Sequence, residues 1–278
     1  MFCCAVLPDD PLLLLESRWC TTFSSSYNKN TMKKLSISVK IYAVLIVILA
    51  TVAAIGVFLP QGASVPSFEL PIPKPLFALL TASTMFLLYG GLGLLGMKLS
   101  GRVGFADIWS ADASMRQRVL VPAFIGVGIG VFFILADLVF TTFHAFGPLP
   151  HPPFPTSLVA SAAAGIGEEV IFRLFFVSFC VWAISLVVRG NQWQNQIFWI
   201  AAFLSALAFA FAHVPSLMFL FGWKTVGDIP TALMIEIILL NGVLSAFAAH
   251  FLRKYGFLAA VSVHFSADLV WHVIWGAM

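Results

Sequence analysis

Long apolar runs recur along the chain and alternate with short segments rich in proline, glycine and polar residues. A helix needs about 20 apolar residues to cross ~30 Å of hydrocarbon. The runs therefore predict an all-α fold, a polytopic transmembrane helical bundle, whose seven spans lie at residues 41–59, 77–97, 119–142, 157–187, 197–221, 231–252 and 256–275. The count becomes eight if the long fourth run breaks into two helices. The loops are too short to hold a separate catalytic domain, so any chemistry must be built from the spans.

Composition and charge agree with this interpretation. Of the 278 residues, 60% are apolar and only 10% are charged, whereas about a quarter of a soluble domain is charged. Twelve basic residues fall in the segments on one side of the predicted spans, and only Lys74 and Lys224 fall on the other. Because basic loops stay in the cytoplasm, the N-terminus is predicted to be cytoplasmic. A net charge of +3 is too small to indicate a nucleic-acid partner.

The N-terminal segment differs from the rest of the chain. Residues 1–31 show no periodicity, and Met32, Lys33 and Lys34 then directly precede an apolar run, as in a natural bacterial start. We interpret residues 1–31 as an extension upstream of the true start, and the location as a bacterial inner membrane. The predicted organisation is a disordered cytoplasmic segment at 1–40, a transmembrane hairpin with a cytoplasmic loop at 41–110, and a second membrane domain at 115–275.

The cysteines indicate no metal centre and no disulfide framework. They show no CxxC pair and no regular spacing, and they are Cys3, Cys4, Cys20 and Cys180. Cys180 is interpreted as a small apolar residue of a helix.

Ionisable residues inside the spans are the main indication of function. A charge in the bilayer core costs at least ~2.5–3.5 kcal/mol, so each such residue needs a partner or a role. The candidates are Asp137, Glu168, Glu169, Arg173, His213, Glu236, His264, Asp268 and His272. For Asp137 and Glu236 we favour a structural role over a place in a cavity, and His272 is expected near the outer interface without a specific function.

The strongest pattern is a pair of adjacent acids followed by an arginine in the fourth span. Glu169 and Arg173 are four residues apart with the acid first, which is the favourable arrangement for an ion pair on one helix. Glu168 points ~100° away from Glu169 around the helix and has no local partner. Hydrogen bonding of both acids to neighbouring helices is the structural alternative.

Two further patterns lie in the fifth and seventh spans. Phe209 precedes His213 by one turn, and His264 precedes Asp268 by one turn. Each pair therefore shares a helix face. The His264–Asp268 spacing suits two groups that converge on one small ligand or transition state.

Together, EExxxR, FxxxH and HxxxD resemble the CAAX prenyl protease and bacteriocin-processing family, also called the Abi family, which includes the type II prenyl endopeptidases. The resemblance covers roughly residues 115–275. It implies a glutamate-based intramembrane protease without a cofactor, in which Glu168 is the general base and His213 assists it. His264 and Asp268 would stabilise the oxyanion, and Glu169, Arg173 and Phe209 would support the site.

One position departs from the pattern, because many family members have Asn where this chain has Asp268. An ionised carboxylate would repel an oxyanion, whereas Asn donates a hydrogen bond to it. Asp268 would therefore act either in its protonated form or by orienting His264.

Three alternatives stay open at this stage. Glu168, His213 and His264 could form a zinc site, although no HExxH motif is present. The chain could be a non-catalytic scaffold or immunity protein of the same fold, or a proton-coupled transporter, although its two halves show no repeat symmetry. The expected partners are membrane lipid and a peptide or protein substrate, lipidated or membrane-bound.

Overall fold

The computed structural model describes residues 29–62, 72–110, 112–188 and 190–278, with side chains in the first helix described from Ile37 onwards. Several sequence interpretations therefore lie outside the described residues. They concern residues 1–28 of the proposed extension 1–31, the side chains of Met32, Lys33 and Lys34, three of the cysteines, and two of the basic residues used for orientation, Arg18 and Arg189.

Within this part of the chain, seven helices are long and apolar enough to cross a membrane, which confirms the predicted fold class. They are α1 (Lys29–Gly56), α2 (Lys74–Arg102), α3 (Arg116–Phe140), α4 (Thr156–Val187), α5 (Gln194–Phe221), α6 (Thr231–Tyr255) and α7 (Phe257–Ala277). The fourth run forms one helix, so the described chain has seven spans and not eight. Pro215 lies inside α5, which continues through it to Phe221.

Proline and glycine define several helix ends. Pro75 is the second residue of α2, where the missing amide proton is not needed. Gly222 ends α5 with φ 68°, and Gly256 has φ 88° in the tight turn between α6 and α7. Both glycines adopt backbone conformations that side chains disfavour.

Helix α1 begins at Lys29, which lies inside the stretch 1–40 that was expected to be disordered. Lys, Met and Leu in this stretch are good helix formers, and adding residues to an existing helix is much easier than nucleating one. The long apolar span therefore extends its helix towards the N-terminus.

The distribution of polar and apolar side chains is that of a membrane protein. Large apolar side chains point outwards, for example Leu87 at 72% exposed and Phe124 at 76% exposed. Charged side chains instead lie inside the bundle, where Glu169 and Arg173 have no exposed surface. An outward apolar surface of this kind is suited to lipid.

Helices α3 and α7 approach each other closely at Gly126 and Gly130, where the absence of side chains lets the two backbones come together. A Cβ atom at Gly126 would collide with the carbonyl oxygen of Val263, and one at Gly130 would lie 2.6 Å from Cβ of Val270. Val263 immediately precedes His264. The two glycines therefore determine how near α7 can come to the rest of the bundle.

This contact leads to a prediction with a matched control. Gly126→Ala should destabilise the protein by about 1–3 kcal/mol, because the added methyl group overpacks a rigid backbone contact. Gly128→Ala should have little effect, because nothing lies within 4 Å of its Cβ position. Unfolding of the purified variants in mixed micelles measures both. Equal stability of the two variants would contradict the proposed contact.

Candidate active site

A cavity of about 250 Å³ lies among α4, α5, α6 and α7. The candidate catalytic residues named from the sequence, Glu168, His213, His264 and Asp268, all line this cavity. Most of the other side chains that line the cavity are apolar, Phe209 among them. The few ionisable residues therefore face a space that is lined largely by hydrocarbon side chains. Three separate helices thus bring their ionisable side chains to one space.

His264 is surrounded by three carboxylates. Its Nδ1 lies 2.8 Å from Oε1 of Glu169, and its Nε2 lies 3.6 Å from both Oε2 of Glu168 and Oδ2 of Asp268. A carboxylate oxygen can only accept a hydrogen bond. Nδ1 of His264 therefore carries a proton and donates a hydrogen bond to Glu169. The ring is therefore fixed with Nε2 directed towards the two other acids.

The two adjacent glutamates have different surroundings. The Glu168 side chain is 33% exposed, whereas that of Glu169 is fully buried. Glu169 lies 3.4 Å from Nη1 of Arg173, in the ion pair that the sequence predicted. Its contact with His264 was not predicted. Glu168 remains the carboxylate that faces the cavity.

Phe209 connects the elements of the site. Its ring lies 4.1 Å from the Arg173 guanidinium carbon, which is a cation–π distance. The same ring makes edge contacts with His213, at 4.9 Å between centroids, and with His264, at 5.8 Å. Phe209 is buried and thus holds three functional side chains in fixed relation.

His213 also has a defined tautomer. Its Nδ1 lies 2.8 Å from the backbone carbonyl oxygen of Phe209, four residues earlier. A carbonyl oxygen only accepts, so the proton must be on Nδ1. In the neutral ring Nε2 then carries a lone pair, and His213 contributes a base to the cavity wall.

Two π-helical stretches begin directly after candidate catalytic residues. One runs from Glu169 to Val177 in α4, and the other from Leu269 to Ile274 in α7. They follow Glu168 and Asp268, respectively. A π-helical turn changes the rotation of all later side chains, and such turns are frequent at functional sites. In α7, Trp271 and His272 lie within such a stretch and line the cavity.

Asp137 and Glu236 belong to a separate polar cluster outside the lining of this cavity. Oε2 of Glu236 lies 3.3 Å from Nε2 of His144, and Oδ1 of Asp137 accepts the amide N–H of Leu149 at 3.1 Å. Both acids therefore hold the α3–α4 loop, residues 141–155, against the bundle. This arrangement agrees with the structural role favoured from the sequence.

His272 lines the same cavity as the candidate catalytic residues, although no role was expected for it from the sequence. Leu149 and Pro150 of the α3–α4 loop also line the cavity, as does Asn241 of α6. The four-residue spacing of His264, Asp268 and His272 was a signal for a shared face.

The donor geometry bears on the zinc alternative. Among the described residues, no group of three or more His, Cys, Asp or Glu side chains is arranged to hold a metal ion. Glu168, His213 and His264 line one cavity, but they form no such group in this structure.

The fold and the site together define an integral multi-pass membrane protein with acids and imidazoles around a cavity inside its helical bundle. Residues 150–270 match the family described as Type II CAAX prenyl endopeptidase Rce1-like. This match confirms the resemblance found from the motifs, and it includes every motif position from Glu168 to Asp268. Comparison with curated proteins and with solved structures gave no match.

Proposed function

We propose that the protein is an intramembrane endopeptidase that cleaves a peptide or protein substrate with water activated by glutamate and histidine. The observation that carries this proposal is the shared cavity of Glu168, His213, His264 and Asp268. Acids and imidazoles are costly inside a membrane, and their convergence on one enclosed space is suited to general base catalysis. The family match over the same residues supports it.

In the proposed mechanism Glu168 takes a proton from a water molecule as its oxygen attacks the scissile carbonyl carbon. The tetrahedral intermediate then collapses, the C–N bond breaks, and the proton passes to the leaving amine. Glu168 suits the base role because it is the partly exposed member of the acid pair, whereas Glu169 is occupied by Arg173 and His264.

His213 assists by accepting a hydrogen bond from the same water. Its Nδ1 is bound to the Phe209 carbonyl, so Nε2 is the nitrogen that can reach a cavity ligand. A second acceptor orients the water and places a lone pair of its oxygen towards the carbonyl carbon.

His264 and Asp268 stabilise the oxyanion. Since Nδ1 of His264 donates to Glu169, Nε2 carries a second proton only in the imidazolium form. The carboxylates of Glu168 and Glu169 favour that form, and its Nε2–H is the donor that an oxyanion needs. Glu169 already orients His264, so we assign Asp268 a protonated, donating role, equivalent to that of the family's Asn.

The proposed substrate is a membrane-bound or lipidated peptide, since the cavity lies inside the bundle and the matching family is described by its prenylated CAAX substrates. We place the protein in a bacterial inner membrane, because Met32, Lys33 and Lys34 are typical of a bacterial start. We place its N-terminus in the cytoplasm on the asymmetry of basic residues. Lipid is the other expected partner, and nucleic acid is not.

The test is cleavage of quenched peptides by the purified protein in detergent, with and without a prenylated CAAX end. We expect the wild type to cleave at least the prenylated peptide and Glu168→Gln to lose this activity. Retained cleavage by Glu168→Gln would refute the proposed base. Binding without cleavage by the wild type would favour the scaffold alternative, and proton-coupled uptake into proteoliposomes would favour the transporter.

The metal-independent mechanism predicts insensitivity to chelators. Cleavage should be unchanged after treatment with EDTA or phenanthroline, because the proposed steps use only protein side chains and water. The measurement is the initial rate before and after chelation and dialysis. Inhibition that added zinc reverses would instead support zinc bound by Glu168, His213 and His264.

A further inference from the structure

His272 contacts the α3–α4 loop on one side and the cavity on the other. Its Nδ1 lies 3.0 Å from Nδ1 of His151, and the two rings are nearly perpendicular, with centroids 5.2 Å apart. His151 also packs edge-on against Trp271 at 4.7 Å. In the described part of the chain, Nε2 of His272 has no hydrogen-bond partner and is not fully buried. It is therefore the nitrogen that a cavity ligand can reach.

The surroundings of His151 decide which ring donates in this pair. Its Nε2 is fully buried and has no partner among the described residues. If His272 donated from Nδ1, neutral His151 would carry its proton on Nε2, as a buried N–H without an acceptor. Buried donors without partners are rare because their lost hydration is not replaced. If His151 instead donates from Nδ1, its buried Nε2 carries only a lone pair, and no buried N–H is left without an acceptor.

The charge state of His151 agrees with this assignment. Burial lowers the pKa of the His151 imidazole, and nearby Asp137 opposes the effect only in part. His151 is therefore neutral near pH 7 and has one proton to place. With that proton on Nδ1, the neutral His272 ring accepts at Nδ1 and carries its own proton on Nε2.

We propose that His272 presents an Nε2–H donor to the cavity and binds a backbone carbonyl of the peptide substrate, with His151 fixing its tautomer. This inference rests on the proposed function. His272 is assigned as a substrate-positioning residue and takes no part in bond making or breaking. His151 acts only through His272.

The spacing along α7 indicates where on the substrate this contact falls. His272 follows His264 by eight residues, which is at most roughly 12 Å at the ~1.5 Å rise of an α-helix, because the second half of this stretch is π-helical. An extended peptide advances ~3.3 Å per residue. A carbonyl bound by His272 therefore lies at most about four residues from the scissile bond. Asn241, on α6, also lines the cavity and would face the same stretch of peptide.

The tautomer can be tested without any substrate. Nitrogen-15 NMR of histidine-labelled protein in detergent should show His272 protonated at Nε2 and bare at Nδ1. His151→Leu should make His272 a mixture of tautomers, whereas His151→Asn, whose amide nitrogen replaces Nδ1, should keep the wild-type signal. A His272 ring protonated at Nδ1 in the wild type would overturn the proposal.

The substrate contact is tested with the prenylated quenched CAAX peptide. We expect His272→Leu to raise KM about tenfold while kcat changes little, which is the effect of losing one neutral hydrogen bond used equally in the ground and transition states. His272→Gln keeps an N–H near the Nε2 position and should recover most of the loss. His250→Leu, an exposed histidine of α6, is the control and should match the wild type.

Direct binding separates this inference from the proposed function. The same peptide is titrated into Glu168→Gln and into Glu168→Gln/His272→Leu, and we expect the dissociation constant to rise about tenfold in the second protein. Equal affinity, or lower thermal stability as the only effect of His272→Leu, would overturn the inference and leave the protease assignment intact. Cleavage by Glu168→Gln would refute the proposed base even if the affinities differ. If neither protein binds the peptide, the inference fails.

Discussion

Glu168→Gln is expected to lower kcat for peptide cleavage by up to about 10⁴-fold, because a positioned general base contributes roughly 10²–10⁴-fold. Gln has nearly the same shape as Glu and still accepts a hydrogen bond, but it cannot take up a proton at neutral pH. Water would still bind beside His213 and His264. The loss should therefore appear in kcat, with KM almost unchanged.

The structure also predicts that this variant stays folded. One third of the Glu168 side chain is exposed to the cavity, and the buried His264 keeps Glu169 as a partner when Glu168 is neutralised. The change in stability should stay within about 0.5 kcal/mol, as for substitutions at accessible positions. Asp112→Asn, an exposed residue of the α2–α3 loop, makes the same chemical change outside the bundle and serves as the control. A folded Glu168→Gln protein with wild-type kcat would contradict the mechanism.

The spans could be predicted because they follow from local composition. About 20 apolar residues in a row are enough to specify a membrane helix, whatever its neighbours are. The fourth run was ambiguous because it is longer than one span, and composition alone does not reveal whether such a run breaks. The close contact at Gly126 and Gly130 also has a local cause, since small residues at this spacing permit close approach of two helices.

The candidate residues could be named from the sequence, but their contacts could not. The Glu169–Arg173 pair lies on one helix, and its spacing alone predicts it. The contact of Glu169 with His264 joins two helices and depends on their relative rotation. The rotation of the side chains changes after Glu168 and after Asp268, because the two π-helical stretches begin there. A π-helical turn has no sequence periodicity of its own, so the sequence does not reveal it.

The same limitation explains the position of His272. In a straight α-helix, residues 264, 268 and 272 lie on nearly the same face. The sequence therefore allowed a shared face, but it could not show which residues His272 contacts. The α3–α4 loop decides this, because His151 contacts His272 and Leu149 covers the cavity. Loop conformation of this kind depends on tertiary contacts, here including those of Asp137 and Glu236.

Arg173→Met is expected to cost about 3–5 kcal/mol of stability, which is the largest of the stability effects predicted. Arg173 is fully buried, and its charge is balanced by Glu169 at 3.4 Å and by the ring face of Phe209 at 4.1 Å. Removal of the guanidinium leaves the Glu169 carboxylate buried with only the His264 N–H as a partner. Arg102→Met, an exposed arginine at the end of α2, is the control and should change stability little.

A double-mutant cycle tests whether the cost arises from the unpaired charge or from lost packing. Gln at position 169 keeps an oxygen that accepts from His264 but removes the charge, so Arg173→Met should cost much less in Glu169→Gln than in the wild type. Buried ion pairs can often be replaced by neutral side chains with little loss, whereas breaking them on one side is expensive. Unfolding of the four proteins in mixed micelles gives the coupling energy. A cost that is the same in both backgrounds would show that Arg173 contributes through its packing on Phe209 and not through its charge.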